Sequence, residues 1–193
     1  MNKKNLILIT SPPACGKTTL AKKLAKELCE TVYLDKDTLI PLSKKIFEVA
    51  EEGYNRSSEF FENHIRDLEY KVILDLAFEA IEFDSNVIIN APFSRELRDK
   101  QYIESLRNRL KGYGAELRVI WIECSEKIAH ERMLKRNSDR DTWKLQHWEE
   151  YIKTENFNAP DVEDLLIYKN DTEEDERRSF KELIESLKIS TQN

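Results

Sequence analysis

The sequence contains little glycine, proline or cysteine: its 193 residues include four glycines, five prolines and three cysteines. It has no internal repeat and no low-complexity tract, which argues against a repetitive or disordered chain. Cys15, Cys29 and Cys124 are an odd number without metal-ligand spacing. We therefore expect free thiols in a reducing, cytoplasmic environment, and no zinc site. The apolar run near the N-terminus is too short for a signal peptide or a membrane span, so no membrane partner is expected.

An excess of basic residues is also absent. Thirty-one basic and 37 acidic residues give a formal net charge of −6, whereas proteins that coat long nucleic acids are usually basic. This balance excludes generic coating of DNA or RNA and leaves open a local site for one phosphorylated end. Charged residues make up 35% of the chain and apolar residues 40%, which predicts one globular domain over residues 1–193.

A short segment between an apolar run and a helical pattern carries the clearest motif. Residues 11–19 read SPPACGKTT and follow the apolar run at residues 6–9. A strand, a tight loop with Gly-Lys-Thr and a helix form a phosphate-binding loop, or P-loop, in which backbone N–H groups and a helix N-terminus surround phosphate oxygens. We therefore predict that ATP is bound by Ala14, Cys15, Gly16, Lys17, Thr18 and Thr19.

Two side chains of this loop have predicted roles in chemistry. Lys17 is the mobile cation for the β- and γ-phosphates, and the Thr18 hydroxyl is placed to hold Mg²⁺. The motif departs from its usual form at Ser11, where a glycine is expected. The alternative is a strand-to-helix turn with an incidental Gly-Lys-Thr, against which the order of strand, loop and helix argues.

Alternating apolar runs and helical patterns predict a three-layer α/β/α fold with a parallel sheet covered on both faces. Five buried strands are predicted at residues 6–9, 31–34, 86–89, 117–122 and 165–168. About fifty residues separate the second and third strands, more than a crossover needs, and they predict a helical, substrate-binding insert over residues 38–84. In its second helix, one apolar packing face is predicted from Phe61, Ile65, Leu68, Val72 and Leu76.

Helix starts are predicted from residues that cap helix N-termini. Ser94 is expected to cap a helix that ends at Gly112 or Gly114, and Ser125 is expected to cap the next one. One further helix is expected over residues 143–154.

Two carboxylates follow the second strand, at the sheet edge where the P-loop also lies. Phosphoryl transfer to an alcohol needs a carboxylate that orients the hydroxyl and takes its proton, and a metal held against the phosphates. We predict that Asp37 is this base and contacts the substrate, and that Asp35 helps to hold Mg²⁺ through water. The alternative is that both residues only cap the helix that follows.

The third strand leads into Asn90 and, a few residues later, Arg95 and Arg98. Asn90 brings no charge to a position where many proteins with this loop carry an aspartate for the metal. The two arginines are expected in the first turn of the next helix, where cations are unfavourable unless an anion is near. Arg95 is therefore a candidate substrate contact.

Three arginines later in the chain, Arg132, Arg136 and Arg140, are spaced four residues apart. Like charges at this spacing cost roughly 0.2–0.5 kcal/mol per pair on a helix, and a bound anion would reverse that cost. We predict that they bind the nucleotide's polyphosphate, with a lid at residues 136–143 and a catalytic contribution from Arg136. The alternative is a solvated helix face. Asn170, in the loop after the last strand, is predicted to recognise adenine.

Together these features resemble the small P-loop kinases of the zeta-toxin, chloramphenicol phosphotransferase, gluconate kinase and polynucleotide kinase type. The resemblance rests on Gly16-Lys17-Thr18, Asp37, the helical insert, the arginines and the Asn170 loop, and it covers most of the chain. It implies a five-stranded parallel core, ATP with Mg²⁺ as cofactors, Asp37 as the catalytic base, and lid arginines among the three named above.

The sequence thus predicts an ATP-dependent kinase that transfers the γ-phosphoryl group to a hydroxyl of a small-molecule acceptor. Two alternatives stay open: a polynucleotide or nucleoside kinase, and a module that binds or hydrolyses ATP without a transfer acceptor. Residues 37–40 resemble the chloramphenicol phosphotransferase pattern, whereas polynucleotide kinases tend to have an arginine in place of Ile40. The identity of the acceptor and the oligomeric state are left open by the sequence.

Overall fold

The computed structural model describes the backbone from residue 4 to residue 192, and the side chains in that range except those of Arg140 and of residues 188–192. A five-stranded parallel sheet with strand order β2-β3-β1-β4-β5 forms its centre. The strands are β1 (Lys4–Thr10), β2 (Thr31–Asp35), β3 (Asn86–Asn90), β4 (Ala115–Glu123) and β5 (Leu166–Lys169). All five predicted strands are confirmed, within about two residues at each end.

Helices cover both faces of the sheet, as a parallel sheet with two apolar faces requires. They are α1 (Lys17–Glu27), α2 (Ile40–Val49), α3 (Glu59–Phe61), α4 (Asp67–Ala80), α5 (Lys100–Lys111), α6 (Glu126–Arg136), α7 (Thr142–Gln146), α8 (Trp148–Thr154) and α9 (Glu173–Gln192). Within β1, Leu6 and Leu8 pack in a core cluster with α4 and α5, whereas Ile7 and Ile9 pack with α1 and α9. The predicted three-layer α/β/α fold is confirmed.

The strand order brings the candidate site residues to one edge of the sheet. β1 lies between β3 and β4, so the loop after β1 is flanked by the ends of those strands. In the register of the sheet, Asn90 pairs with Ile9 on one side and with Asp35 on the other. Asp35, Asn90 and the P-loop are therefore neighbours at the carboxyl edge, although they are far apart in the chain.

The insert between β2 and β3 contains an irregularity that the sequence pattern did not predict. A π-helical turn, Glu62–Arg66, joins α3 to α4. Phe61 and Ile65 are buried as predicted, but the prediction is wrong beyond this turn because Leu68, Val72 and Leu76 are 57%, 43% and 43% exposed. A π turn holds one residue more than an α turn, which rotates every later side chain by about 100°.

The rotation turns polar side chains of α4 towards the interior. Arg66, Glu69 and Tyr70 are buried where the apolar pattern would place leucine and valine. Helix α4 still buries an apolar face, which includes Ile73 and Ala77, and the charged Glu69 lies beside that face. Of the three polar residues, Arg66 and Tyr70 line the cavity described below.

Two predicted helices differ from the observed ones. The helix after β3 is capped by Asp99 instead of Ser94: the Asp99 carboxylate accepts from two backbone N–H groups of the first turn, and α5 begins at Lys100. A 3₁₀ turn, Glu96–Arg98, precedes α5, and Asp99, whose φ and ψ are −97° and 105°, separates the two. The helix expected over residues 143–154 is two helices, α7 and α8, interrupted at His147, whose φ and ψ are −123° and 43°. The predicted cap at Ser125 is confirmed.

Helix lengths and composition also bear on membrane insertion. Within residues 4–192, no helix is both long and apolar enough to cross a membrane.

Candidate active site

The loop between β1 and α1 has the backbone geometry of an anion-binding loop. It leaves the buried strand β1 after Thr10, and α1 begins at Lys17. Gly16 has φ 103° and Ala14 has φ 63°, both in the left-handed region. Left-handed positions of this kind let successive backbone N–H groups converge on an anion, and the N-terminus of α1 adds its positive dipole end.

Asn170 and Arg132 pack directly against this loop. The Asn170 side-chain amide donates to the Cys15 carbonyl at 2.7 Å, and a Cβ on Gly16 would lie 2.4 Å from that amide nitrogen. One terminal nitrogen of Arg132 donates to the Asn170 carbonyl at 2.8 Å, and the other contacts the Cys15 carbonyl at 3.5 Å. The structure thus brings together four residues predicted for nucleotide binding, from three separate parts of the chain.

Lys17 bends back over the loop entrance. Its ammonium donates to the Ser11 carbonyl at 2.9 Å, the Ser11 hydroxyl at 3.2 Å and the Pro12 carbonyl at 2.8 Å. Burial lowers the pKa of Lys17 to about 8, an effect opposed by Cys15 and Glu155. The three hydrogen-bond acceptors are neutral oxygens, so an anionic phosphate oxygen would be a stronger partner for the ammonium.

Cys15 lies beneath the loop, where its thiol meets the thiol of Cys124 at the end of β4. Both side chains are buried, and the contact with Cys124 lowers the pKa of Cys15 although burial alone would raise it. The same contact, together with burial, raises the pKa of Cys124. Cys15 therefore offers its backbone, and not its side chain, to the space above the loop.

Thr18, Asp35 and Asn90 form a polar cluster beside the loop. The Asn90 amide nitrogen lies 2.9 Å from the Thr18 hydroxyl and 2.9 Å from the Asp35 carboxylate, to which the Tyr33 hydroxyl also donates at 2.7 Å. The described residues include no group of three or more His, Cys, Asp or Glu that could hold a metal. A single carboxylate and a hydroxyl nevertheless suit Mg²⁺, which keeps several waters and takes further ligands from phosphates. The donor set fits the predicted metal.

Asp35 and Asp37 have different positions in the short turn after β2. One oxygen of the Asp35 carboxylate accepts from the backbone N–H of Asp37 at 3.0 Å, and so caps the 3₁₀ turn Lys36–Leu39. Asp35 therefore has the capping role of the alternative interpretation, and its second oxygen faces Asn90. The half-buried Asp37 lines the main cavity.

A cavity of about 970 Å³ extends from the P-loop to the insert and to the segment after α6. Its walls at the P-loop end include Ala14, Gly16, Lys17, Thr18, Thr19, Arg132, Arg136 and Asn170. Its walls at the insert end include Asp37, Arg56, Phe61, Arg66 and Tyr70. One continuous space therefore joins the predicted nucleotide site to the predicted lobe for the second substrate.

The predicted arginine face ends with the helix that carries it. Helix α6 stops at Arg136, and Asn137 follows in the left-handed conformation with φ 44°. Two nitrogens of Arg136 donate to the buried Asp141 carboxylate at 2.9 and 2.6 Å. Arg140 lies in the 3₁₀ turn Asp139–Asp141, and its side chain is outside the described residues. Arg132 and Arg136 both line the cavity, with different partners.

The family model described as an AAA domain matches residues 6–155, which is 150 of the 193 residues. The chain belongs to the AAA-domain family. A comparison with curated protein sequences gave no significant match.

Solved structures share the fold of this AAA domain at low sequence identity. A protein from Chloroflexus aurantiacus J-10-fl has a TM-score of 0.65 and 19% identity, covering 96% of this chain and 98% of its own. A gluconokinase from Sinorhizobium meliloti 1021 has a TM-score of 0.56 and 16% identity, and the match covers 97% of each chain. Chaetomium thermophilum Kti12, solved in complex with ADP-AlF3, has a TM-score of 0.56 and 20% identity, and the match covers 93% of this chain and 97% of its own. The AAA domain therefore has the P-loop kinase fold predicted for it.

Arg95 lies in a neighbouring groove of the AAA domain, together with Arg98. It is half-exposed and pairs with Glu62 at 3.3 Å and Asp67 at 3.1 Å. Arg95 directly precedes the 3₁₀ turn Glu96–Arg98, which contains Arg98. The expected position of both residues in the first turn of an α-helix was wrong, because α5 begins later, at Lys100. Carboxylates of the insert are thus the anions beside Arg95, and its contact with a substrate stays a prediction.

The sequence reasoning missed an ionic cluster inside the insert. Glu69 accepts from Lys36 at 2.6 Å, from both terminal nitrogens of Arg56 at 2.7 Å each, and from the Ser43 hydroxyl. Burial raises the pKa of Glu69, but the hydrogen bonds from Arg56 and the charge of Lys36 outweigh it and lower the pKa to about 2. No signal in the sequence predicts this cluster, because the π turn that rotates Glu69 inwards has no pattern of its own.

Proposed function

We propose that the protein is an ATP-dependent phosphotransferase that moves the γ-phosphoryl group of ATP to a hydroxyl of a small-molecule acceptor. The observation that carries this proposal is the cavity of about 970 Å³, whose walls include both the P-loop and Asp37. A module that only bound nucleotide would need no second compartment with a carboxylate beside the phosphates. The shared fold of a gluconokinase supports the same reaction class.

At the nucleotide end, the chain binds and orients the phosphates. Backbone N–H groups from Ala14 onward and the N-terminus of α1 hold the phosphate oxygens, and Lys17 supplies a cation for the β- and γ-phosphates. Thr18 and Asp35 would hold Mg²⁺, which neutralises charge on the phosphates when bound. Arg132, Arg136 and Arg140 remain the proposed lid ligands of the polyphosphate, and Asn170 the proposed contact for adenine.

At the insert end, Asp37 acts on the acceptor. Its carboxylate orients the acceptor hydroxyl and takes the hydroxyl proton as the new O–P bond forms. The bond between the γ-phosphorus and its bridging oxygen breaks, and the electron pair leaves with ADP. Positioning and charge stabilisation supply most of the rate enhancement in reactions of this kind.

The substitution Asp37→Asn tests this assignment. Loss of a general base lowers rates by about 10²–10⁴-fold, so we expect transfer to pooled small-molecule alcohols to fall in that range while affinity for a non-hydrolysable ATP analogue is retained. Asp75→Asn, which removes an exposed carboxylate paired with Lys71 on α4, is the matched control and should retain transfer. Full activity in Asp37→Asn would refute its role as the base.

The same assay separates the alternatives. Labelled phosphate appearing on a 5′-hydroxyl oligonucleotide in preference to small alcohols would identify a polynucleotide kinase. Tight nucleotide binding with no product in any acceptor screen would identify a sensor module. Lys17→Ala should abolish productive nucleotide binding in every case, and unchanged ATP affinity in that variant would argue against the whole site.

A further inference from the structure

Three buried side chains of the insert carry more positive than negative charge. Lys36 and Arg56 both bind the single carboxylate of Glu69, and the three side chains are 6%, 11% and 4% exposed. With both cations protonated, the cluster has a net charge of +1. Buried charge is unfavourable unless a partner compensates it, so an anion beside Lys36 and Arg56 would be bound favourably.

Arg56 is held in a fixed orientation at the cavity wall. Its two terminal nitrogens form a fork on Glu69 at 2.7 Å each, and its guanidinium lies 4.4 Å from the centre of the Phe61 ring. A guanidinium has five N–H donors, and a fork onto one carboxylate uses two of them. Arg56 lines the same cavity as Asp37, so a ligand at the insert end can reach both.

The other arginine of the insert carries no such excess. Arg66 donates to both oxygens of Glu96 at 2.7 and 3.1 Å, and also to Asp67 at 3.0 Å. The single positive charge of Arg66 is therefore shared by two carboxylates. Burial lowers the pKa of Lys36, the carboxylate of Glu69 opposes that shift, and the positive charges of Arg56 and Arg66 add to it.

The position of Glu69 argues that the cluster serves a ligand. The π turn Glu62–Arg66 leaves Leu68, Val72 and Leu76 exposed and buries charged residues in their place. Apolar residues of α4, including Ile73 and Ala77, are buried as well, but burial of a charged side chain such as Glu69 is unfavourable without compensating partners. Conflicts between local pattern and structure concentrate at functional sites.

We propose that the acceptor alcohol carries an anionic group, a carboxylate or a phosphate, which binds Arg56 while its hydroxyl lies at Asp37. This inference rests on the proposed function and names the class of acceptor. The bound anion would complete the charge balance of the cluster, and the fixed guanidinium would discriminate anionic acceptors from neutral ones of the same size.

The first test measures binding without turnover. The full chain is saturated with Mg²⁺ and a non-hydrolysable ATP analogue, so that the P-loop is filled, and its unfolding midpoint is followed as inorganic phosphate is titrated. We expect a saturable rise in the midpoint for the wild type and at least a tenfold weaker apparent affinity in Arg56→Gln. That variant leaves Glu69 paired with Lys36, so the fold is retained.

Two further variants make the result specific. Arg56→Lys keeps the charge and loses the fork, so it should bind phosphate with intermediate affinity. Arg107→Gln removes an arginine of α5 that pairs with the exposed Glu163 at 2.7 Å, and it should behave as the wild type. Equal phosphate effects in wild type and Arg56→Gln would mean an adventitious anion only, and would overturn the proposal, as would no effect in the wild type.

The second test compares acceptors in matched sets of equal chain length: polyols, the corresponding aldonic acids and the corresponding sugar phosphates. We expect transfer to a carboxylated or phosphorylated member in preference to the neutral one, and Arg56→Gln should lower kcat/KM for the anionic member only. The preferred anionic member identifies which group the site takes. Transfer confined to neutral polyols would overturn this inference while leaving the proposed phosphotransferase activity intact. If the wild type failed to bind the ATP analogue, the nucleotide site itself would be contradicted.

Discussion

Replacing Gly16 by alanine tests two demands that the P-loop makes on this position. Gly16 has φ 103°, and a Cβ there would lie 2.4 Å from the side-chain nitrogen of Asn170. The backbone conformation alone costs a residue with a Cβ about 1–3 kcal/mol. To make room, Asn170 must give up its 2.7 Å hydrogen bond to the Cys15 carbonyl, which costs about 0.5–1.5 kcal/mol. We therefore expect Gly16→Ala to lower the free energy of unfolding by about 1.5–4.5 kcal/mol.

Two other glycines separate these contributions. Gly114 has φ 63° with nothing within 4 Å of a built Cβ, so Gly114→Ala adds backbone strain without a clash. At Gly53 a Cβ also meets nothing within 4 Å, and Gly53→Ala should change stability by less than about 0.5 kcal/mol. In the double variant Gly16→Ala/Asn170→Ala the clash disappears, so the two effects should fall short of additivity by about 0.5–1.5 kcal/mol.

Urea unfolding of the full chain, followed by circular dichroism, measures these differences. Affinity for a non-hydrolysable ATP analogue is the second readout, and Gly16→Ala should weaken it while Gly114→Ala should not. A loss of unfolding free energy in Gly16→Ala as small as that in Gly53→Ala would contradict both the backbone strain and the clash with Asn170. Strict additivity in the double variant would show that Asn170 and Gly16 do not compete for the same space.

Two further predictions concern charge. Burial lowers the pKa of Lys17 to about 8, so Lys17 is largely neutral at pH 9, and binding of an anionic ATP analogue there should take up close to one proton, against almost none at pH 7. Calorimetry in buffers of different ionisation heat measures this uptake, which should vanish in Lys17→Met. The pKa of Glu69 is raised by burial but lowered overall to about 2 by Arg56 and Lys36, below an unfolded value of about 4.3. The ionised Glu69 therefore contributes about 3 kcal/mol to the free energy of unfolding above about pH 4.3. This contribution is lost as the pH falls towards 2. Glu69→Gln should lower the free energy of unfolding by about 3–5 kcal/mol at pH 7 and should not show this loss of stability in acid. Urea unfolding at several pH values measures both, and the same dependence of stability on acid pH in wild type and variant would contradict the assignment.

Features that depend on local patterns could be predicted from the sequence. Buried parallel strands are apolar on both faces, so the five strands were recognisable from short apolar runs alone. The P-loop was recognisable because Gly16, Lys17 and Thr18 are contiguous and lie between a strand and a helix. Asp35 and Asn90 were expected at one sheet edge because every parallel strand ends there.

Contacts between distant residues and the orientation of helix faces could not be predicted in this way, because they depend on how the whole chain folds. The contacts of Asn170 and Arg132 with the P-loop join segments more than a hundred residues apart, and no local pattern records such pairs. The inward turn of Glu69 depends on one extra residue in a π turn, which shifts the phase of the whole helix α4. That phase buries Glu69 and exposes Leu68, Val72 and Leu76. It also places Arg66 and Tyr70 at the wall of the cavity. The nucleotide end of the site could therefore be predicted from the sequence. The acceptor end could not, because it depends on the phase of helix α4 and on charge pairs that form only in the folded chain.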